Sequence, residues 1–274
     1  MALTIDACVA QHIGDRKEQQ DRLALLQHPK NKRVVLAVVA DGMGGHEGGA
    51  LAAEQVIVTA RNSLEQFSPR EESAAAVLAA CLAEAHVLIR GGRFVNEKDP
   101  HSTGVVLILQ PDPHPPVALA EGEPAPAPSW IATWAHCGDS RLFRFRDGRL
   151  VVRTRDHSYV EELLRAGKIS PAEAEHHPNK NVLVTALGGK DAPRIDTEVA
   201  EDLQAGDTFL LCSDGLWAYF TEQELGGVLA SHSARGAAEM LVEAARQRAH
   251  GKGDNLSLVV IRLIEPPPPD DAAA

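Results

Sequence analysis

Val34 to Val58 reads VVLAVVADGMGGHEGGALAAEQVIV. It begins as an unbroken apolar run, stops at Asp41, turns through Gly42, Gly44, Gly45, Gly48 and Gly49, and resumes as a helix. A short, continuous run of Val, Leu and Ala suits a buried strand. An aspartate at its tip loses hydration, so its charge requires a partner. The glycines allow the backbone to turn sharply and bring a carbonyl toward whatever that partner is.

Asp41 has counterparts. Asp214-Gly215 ends the apolar run of FLLCSDGLW, Asp254 immediately precedes the run in GKGDNLSLVVIRL, Asp139 sits in the turn of AHCGDSRLFRF, and Asp21 follows GDRKEQQ. Any one Asp-Gly pair reads first as a tight turn. Acids gathered at one edge of a sheet would repel each other and raise one another's pKa values. A hard divalent cation resolves that repulsion. Oxygen donors without a neighbouring Cys/His cluster suit magnesium or manganese better than zinc. Two such ions can activate water for attack on phosphorus.

Composition narrows the rest. The 274 residues, 44% hydrophobic, suffice for one large domain or two small ones. A net charge of -11 without a Lys/Arg block argues against nucleic acid as a partner. No apolar run approaches the roughly 20 residues that span a bilayer, and MALTIDACVAQHIGDR lacks a signal-peptide pattern. Cys8, Cys81, Cys137 and Cys212 are widely spaced, as in reduced core positions. A cytoplasmic protein without membrane contact, and a monomer, is expected.

Strands are expected in LTIDACVA, RVVLAVVA, VVLILQ, SWIATWAHC, RLFRFRDGRLVV, DTFLLCSDG and LSLVVIRLI, with Asp147-Gly148 as a hairpin turn. Helices are expected over 48–65, 71–91 and 234–249. Ser68-Pro69-Arg70-Glu71 and Ser170-Pro171-Ala172-Glu173 read as capping boxes with proline at the first helical position. Ser158 with Glu161, and Thr221 with Glu224, repeat the box. Strands following one another as hairpins favour an α+β layered domain with antiparallel sheets. Residues 111–128 hold seven prolines and read as a surface insertion; the tail at 265–274, EPPPPDDAAA, reads as disordered.

Taken in order, Arg16 with Asp21 in RKEQQD, ADGMGGH, CGDSRLFRF, RDHSYVEELLRAGKIS, NVLVTALGG, DTFLLCSDGLW and GDNLSLVVI resemble the metal-dependent serine/threonine protein phosphatases, the type 2C or PPM family, bacterial type. The resemblance spans about residues 4–263. It implies a four-layer αββα sandwich, two antiparallel sheets flanked by helices, as one catalytic domain over 1–264. It also implies hydrolysis of phosphoserine and phosphothreonine by metal-bound hydroxide at a dinuclear Mn2+ or Mg2+ centre, with a third ion beside the pair. By this resemblance Asp41 bridges two ions and the Gly42 carbonyl binds one of them. Asp21, Asp214 and Asp254 complete the pair, Asp139 with Asp214 serves the third ion, and Arg16 grips substrate phosphate. Residues 156–189 resemble the bacterial flap, in which His157, His176 and His177 serve packing or exposure. Phosphorylated proteins, with a serine/threonine kinase and its substrates, are the implied partners.

The chain departs from the pattern at three places. Gln19 and Gln20 stand where the family usually has Asn-Glu. Met43 replaces the histidine that follows Asp-Gly in eukaryotic members, which leaves His46 as a candidate leaving-group acid. HSTGVV replaces the usual Gly-Thr-Thr turn and reads as local repacking. Two rival readings stand beside the phosphatase: a catalytically weak phosphoprotein-binding module and a hydrolase of small phosphate esters.

Overall fold

The computed structural model describes residues 3–44, 47–96, 99–114 and 129–266. One sheet has the order β1 (Thr4–His12), β12 (Leu256–Ile264), β11 (Asp207–Cys212), β8 (Arg141–Arg146), β9 (Arg149–Arg153). The other has the order β10 (Asp196–Ala200), β7 (Trp130–Cys137), β6 (Gly104–Pro111), β3 (Val35–Ala40), β2 (Arg22–Gln27). All these pairings are antiparallel. A small ribbon pairs β4 (Gly42–Met43) with β5 (His101–Ser102).

Side-chain alternation builds the layers. In β3, Leu36, Val38 and Ala40 pack against helices α1 (Glu47–Gln66) and α2 (Ala74–Asn96). Ala37 and Val39 point the other way, into a core between the sheets that also contains Leu107, Trp134, Phe209, Leu211, Val259 and Ile261. On the far side of the first sheet, Phe143, Phe145, Leu210, Leu258 and Val260 meet α5 (Asp214–Trp217), α6 (Glu222–Ser231) and α7 (Ala234–Ala249). Three apolar interfaces thus separate four layers, helix, sheet, sheet, helix. A strand buried on both faces has no polar side to show, which is why β3 reads as one apolar run. Truncating Phe209, fully buried between the sheets, to alanine would cost about 3–5 kcal/mol.

The remaining helices, α3 (Tyr159–Arg165) and α4 (Pro171–Glu175), lie in the 156–189 segment. Capping boxes form at Ser170/Glu173 and Thr221/Glu224, while Ser158 accepts only the Glu161 N–H. Asp147 and Gly148 both take positive φ, 49° and 75°, as the β8–β9 hairpin turn requires.

Some expectations are corrected. Ser68-Pro69-Arg70-Glu71 is not a helix start. Its amides at Glu71 and Glu72 both bond the Ser68 carbonyl in a separate turn, and α2 begins at Ala74. Besides the short β4 and β5, two strands of the main sheets were not expected from the sequence. β2 is RLALLQ, rich in helix-favouring Leu and Ala, and β10 is the largely exposed edge strand DTEVA. Contrary to the sequence reading, Ala74–Gly92 is long and apolar enough to cross a membrane by length and composition alone. Its Leu78, Cys81, Leu82, Ala85 and Ile89 are spent on the core. Of the proline-rich stretch, 115–128 lies outside the described residues, but Pro111 and Trp130 pair directly across its ends. Residues 267–274 of the tail also lie outside.

Candidate metal centre

Asp41 and Asp139 are held through their backbone groups, whereas Asp21 and Asp254 also have carboxylate oxygens engaged by neighbours. Asp41 leaves β3, where its N–H donates to Thr103 Oγ1 at 3.0 Å. Its carbonyl accepts from the Thr103 N–H at 2.9 Å and the Ser102 hydroxyl at 3.1 Å. The HSTG stretch is therefore the clamp on Asp41, not mere repacking. A Cβ on Gly42 would stand 2.0 Å from the Gly49 carbonyl oxygen, so the start of α1 can approach the Asp41 turn only because glycines meet there.

Asp21 stands just before β2 and is fully buried. Its Oδ2 accepts from the Ser213 hydroxyl at 2.7 Å, and its Oδ1 has no hydrogen-bond partner. Gln19 occupies the departure from the family pattern productively. Its Oε1 accepts the Asp21 N–H at 3.0 Å, and its Nε2 donates to the His12 carbonyl at 3.1 Å. The Gln20 N–H donates to Asn255 Oδ1 at 2.7 Å, while Asn255 Nδ2 donates to the carbonyls of Ile13 and Glu18. These bonds tie the 13–21 loop to the start of β12.

Asp214 is the first residue of α5, directly after β11, and its Oδ1 is buried without a partner. Asp254 precedes β12; its Oδ2 accepts from Arg16 Nη2 at 2.5 Å and its Oδ1 accepts the Asn255 N–H. Asp139 sits between β7 and β8, and its carbonyl accepts from Trp217 Nε1 at 3.0 Å. Arg141 forms a two-pronged pair with Asp156 at 2.8 and 2.7 Å and stacks over the Trp217 ring.

The electrostatics place the acids in one field. Burial first, then Asp21, Asp214, Asp139 and Asp254, hold the Asp41 carboxyl well above the usual range. Burial raises Asp21 to about 7 against the pull of the Ser213 bond, with Asp214 and Asp254 adding to the rise. Burial, then Asp214 and Asp156, raise Asp139 to about 8. Burial and then Asp254 raise Asp214 to about 6, opposed by Arg16 and Arg141. The bond to Asp254 raises Arg16, and Asp214 and Asp41 reinforce it. All five predicted carboxylates and Arg16 are thus gathered. The site tests well against a metal centre. Two buried carboxylate oxygens lack partners, their neighbours repel, and the donors are all oxygen, the set that hard divalent cations prefer.

His46 lies outside the described residues. Sequence reasoning passed over Ser213, Thr103, Asn255, Trp217 and the Arg141–Asp156 pair, which hold the acids in place. All of them stood within quoted motifs, Ser213 and Trp217 in DTFLLCSDGLW, Asn255 in GDNLSLVVI, Thr103 in HSTGVV, Arg141 in CGDSRLFRF and Asp156 in RDHS, but nothing local marks which atoms they hold.

Comparison with known proteins identifies the family. The family model for protein phosphatase 2C matches residues 9–248. The serine/threonine phosphatase stp of Listeria welshimeri is 30% identical over 256 residues, covering 90% of each chain. The solved S. agalactiae serine/threonine phosphatase superposes with a TM-score of 0.81 at 24% identity, covering 96% of this chain and 100% of that one. The catalytic domain of the phosphatase PstP, solved with two manganese ions, gives 0.74 at 24% identity, over 96% and 100%. The chain belongs to the protein phosphatase 2C family, in the class of bacterial serine/threonine protein phosphatases.

Proposed function

We propose that this protein removes phosphate from phosphoserine and phosphothreonine in proteins, using two divalent cations, Mn2+ or Mg2+, with a third beside them. The observation that carries this reading is the pair of unpartnered buried oxygens, Asp21 Oδ1 and Asp214 Oδ1, inside a field of mutually repelling carboxylates. Asp21, Asp41, Asp214 and Asp254, with the Gly42 carbonyl, would hold the pair, and Asp139 with Asp214 the third. Bound there, the ions would neutralise charge on the phosphoryl group and activate water for its displacement.

The chain's own residues do the rest. Arg16 uses Nη2 on Asp254, and its side chain is 61% exposed, so the other guanidinium donors remain open to a phosphate. The Ser213 hydroxyl on Asp21 Oδ2 and the Asn255 N–H on Asp254 Oδ1 keep those two carboxylates from rotating as charge shifts, while Thr103 holds the backbone of Asp41. His46 is the residue proposed to protonate the leaving alkoxide. A groove of about 560 Å3 starts at Met43, beside Gly42, and runs along Leu183–Ala186 to Lys190 and Arg194. We take 1–264 as one catalytic domain, acting as a monomer on a kinase and its targets. The free thiols of Cys8, Cys81, Cys137 and Cys212 suit a reducing cytoplasm.

The test is release of phosphate from a phosphothreonine peptide with Mn2+, Mg2+ or a chelator, beside a small phosphate ester. Metal-dependent turnover with a clear preference for the peptide is expected. Turnover that survives the chelator would overturn the metal reading. Preference for the small ester would overturn the protein-substrate reading, and binding without turnover would favour the regulatory module.

A further inference from the structure

His157 makes several contacts at the base of the 156–189 segment, and the chemistry above leaves it unused. Its side chain is wholly buried. Its N–H donates to the Gly138 carbonyl at 2.9 Å, and its carbonyl accepts the Val184 N–H at 2.9 Å. Its Nδ1 accepts the Gly138 N–H at 3.2 Å. A ring nitrogen that accepts carries no proton, so Nε2 is the protonated one. Nε2–H faces Asp196 Oδ2 at 3.4 Å, a long contact without a second partner. Arg194 grips both Asp196 oxygens, at 3.0 and 2.7 Å, and so fixes the carboxylate.

Gly138 immediately precedes Asp139 and has φ 100°, a conformation in which a Cβ would stand 2.7 Å from Thr103 Cγ2. The Asp139 turn is thus held on its N-terminal side by His157 and Thr103, and on its carbonyl by Trp217. Thr103 is also the clamp on Asp41 and bonds Ser140 Oγ at 2.6 Å. One connected set of contacts therefore joins the segment root to both acids.

We propose that His157 is a positioning residue: by accepting the Gly138 amide at Nδ1 it fixes the turn that presents Asp139 and locks the root of the 156–189 segment to the acidic cleft. The consequence for metal binding rests on the proposed role of Asp139 at a third ion. Burial, with His136 stacked at 4.5 Å, pushes the His157 pKa down to about 4. The imidazole is therefore neutral near pH 7, with its lone pair available to the amide.

The same residues, His136, His157 and Asp196, lie close enough to suggest a separate metal site. Two observations and the tautomer inferred above count against it. The rings are inclined by only 26°, so their in-plane lone pairs do not converge. His157 Nε2 carries a proton, and both Asp196 oxygens are occupied by Arg194.

The test pairs two substitutions of opposite chemistry. The amide oxygen of asparagine can replace Nδ1 as the acceptor for Gly138, whereas the amide nitrogen of glutamine reaches the Nε2 position as a donor to Asp196. In the metal-free protein, His157→Gln should speed hydrogen exchange at the Gly138 amide, and His157→Asn should leave it near wild type. By calorimetry, Mn2+ affinity at the Asp139-dependent site should fall roughly tenfold or more in His157→Gln, the range for lost outer-shell support, and largely recover in His157→Asn. Equal behaviour of the two variants overturns the proposal. So does a wild-type imidazole 15N spectrum with the proton on Nδ1, a measurement that needs no variant to fold. Asp139→Ala separates the two readings. If it leaves Mn2+ stoichiometry unchanged the third-ion reading fails, while Gly138 exchange still decides the role of His157.

Discussion

Ser213 and Asp21, 192 positions apart in the chain, are joined by a 2.7 Å hydrogen bond from the serine hydroxyl to Oδ2. The same hydroxyl oxygen accepts the Ser257 N–H at 3.0 Å. Ser213 thus links the ends of β11 and β12 to the start of β2 and satisfies one oxygen of Asp21 while leaving the other open. Ser213→Ala should cost about 1–3 kcal/mol, the range for stranding buried polar partners. Urea unfolding of the metal-free protein measures this, and Mn2+ titration should show weaker binding. Unchanged values in both would remove Ser213 from the site's support.

The raised carboxyls make a prediction about pH. Asp21 rises to about 7 and Asp139 to about 8, chiefly through burial. A carboxyl whose folded pKa exceeds its unfolded value, about 3.9 for aspartate, stabilises the fold fully below that unfolded value. The contribution is lost as pH rises through the folded value. The melting temperature of metal-free protein should therefore fall between about pH 4 and pH 8. Saturating Mn2+ should abolish the fall, because the ion competes with the same protons. A flat metal-free profile would count against the shared field of acids.

Asp41→Asn keeps the shape of the side chain and removes its charge. Turnover of a phosphothreonine peptide should drop by orders of magnitude. The metal-free protein should melt higher than wild type above pH 7, because one member of the repelling set is gone. Near wild-type turnover at low Mn2+ would show that Asp41 does not bridge ions.

Arg16→Lys retains a positive charge but loses the planar fork of donors. KM for phosphopeptide should rise with kcat much less affected. Arg16 also bonds Asp254, so Mn2+ affinity must be measured alongside. A change in metal affinity with KM unaltered would assign Arg16 to holding the carboxylate instead.

His46→Ala should slow phosphothreonine hydrolysis roughly 10²-fold or more if His46 is the general acid. Turnover of p-nitrophenyl phosphate, whose leaving group needs little protonation, should change far less. Equal losses on both substrates would indicate a disturbed Asp41 turn.

What the sequence determined by itself was local. The buried run ending at Asp41, the Asp147-Gly148 turn and the helix starts at Ser170 and Thr221 follow from contacts within a few residues, which side-chain pattern and turn chemistry encode directly. The five acids were legible because each stands at the end or beginning of an apolar run, and the family resemblance supplied their roles. β2 and β10 escaped notice because leucine-rich and edge strands carry weak local signals. Tertiary structure alone decided which carboxylate oxygens are satisfied and which are open. Thr103 holds Asp41 only once β6 pairs with β3, and Ser213 reaches Asp21 and His157 meets Gly138 only after two sheets pack and set the relative heights of their strand ends. A hydrogen bond is decided by tenths of an ångström between chain-distant atoms, and burial sets the energy of leaving one unmade. Neither quantity has a counterpart in the order of residues along the chain.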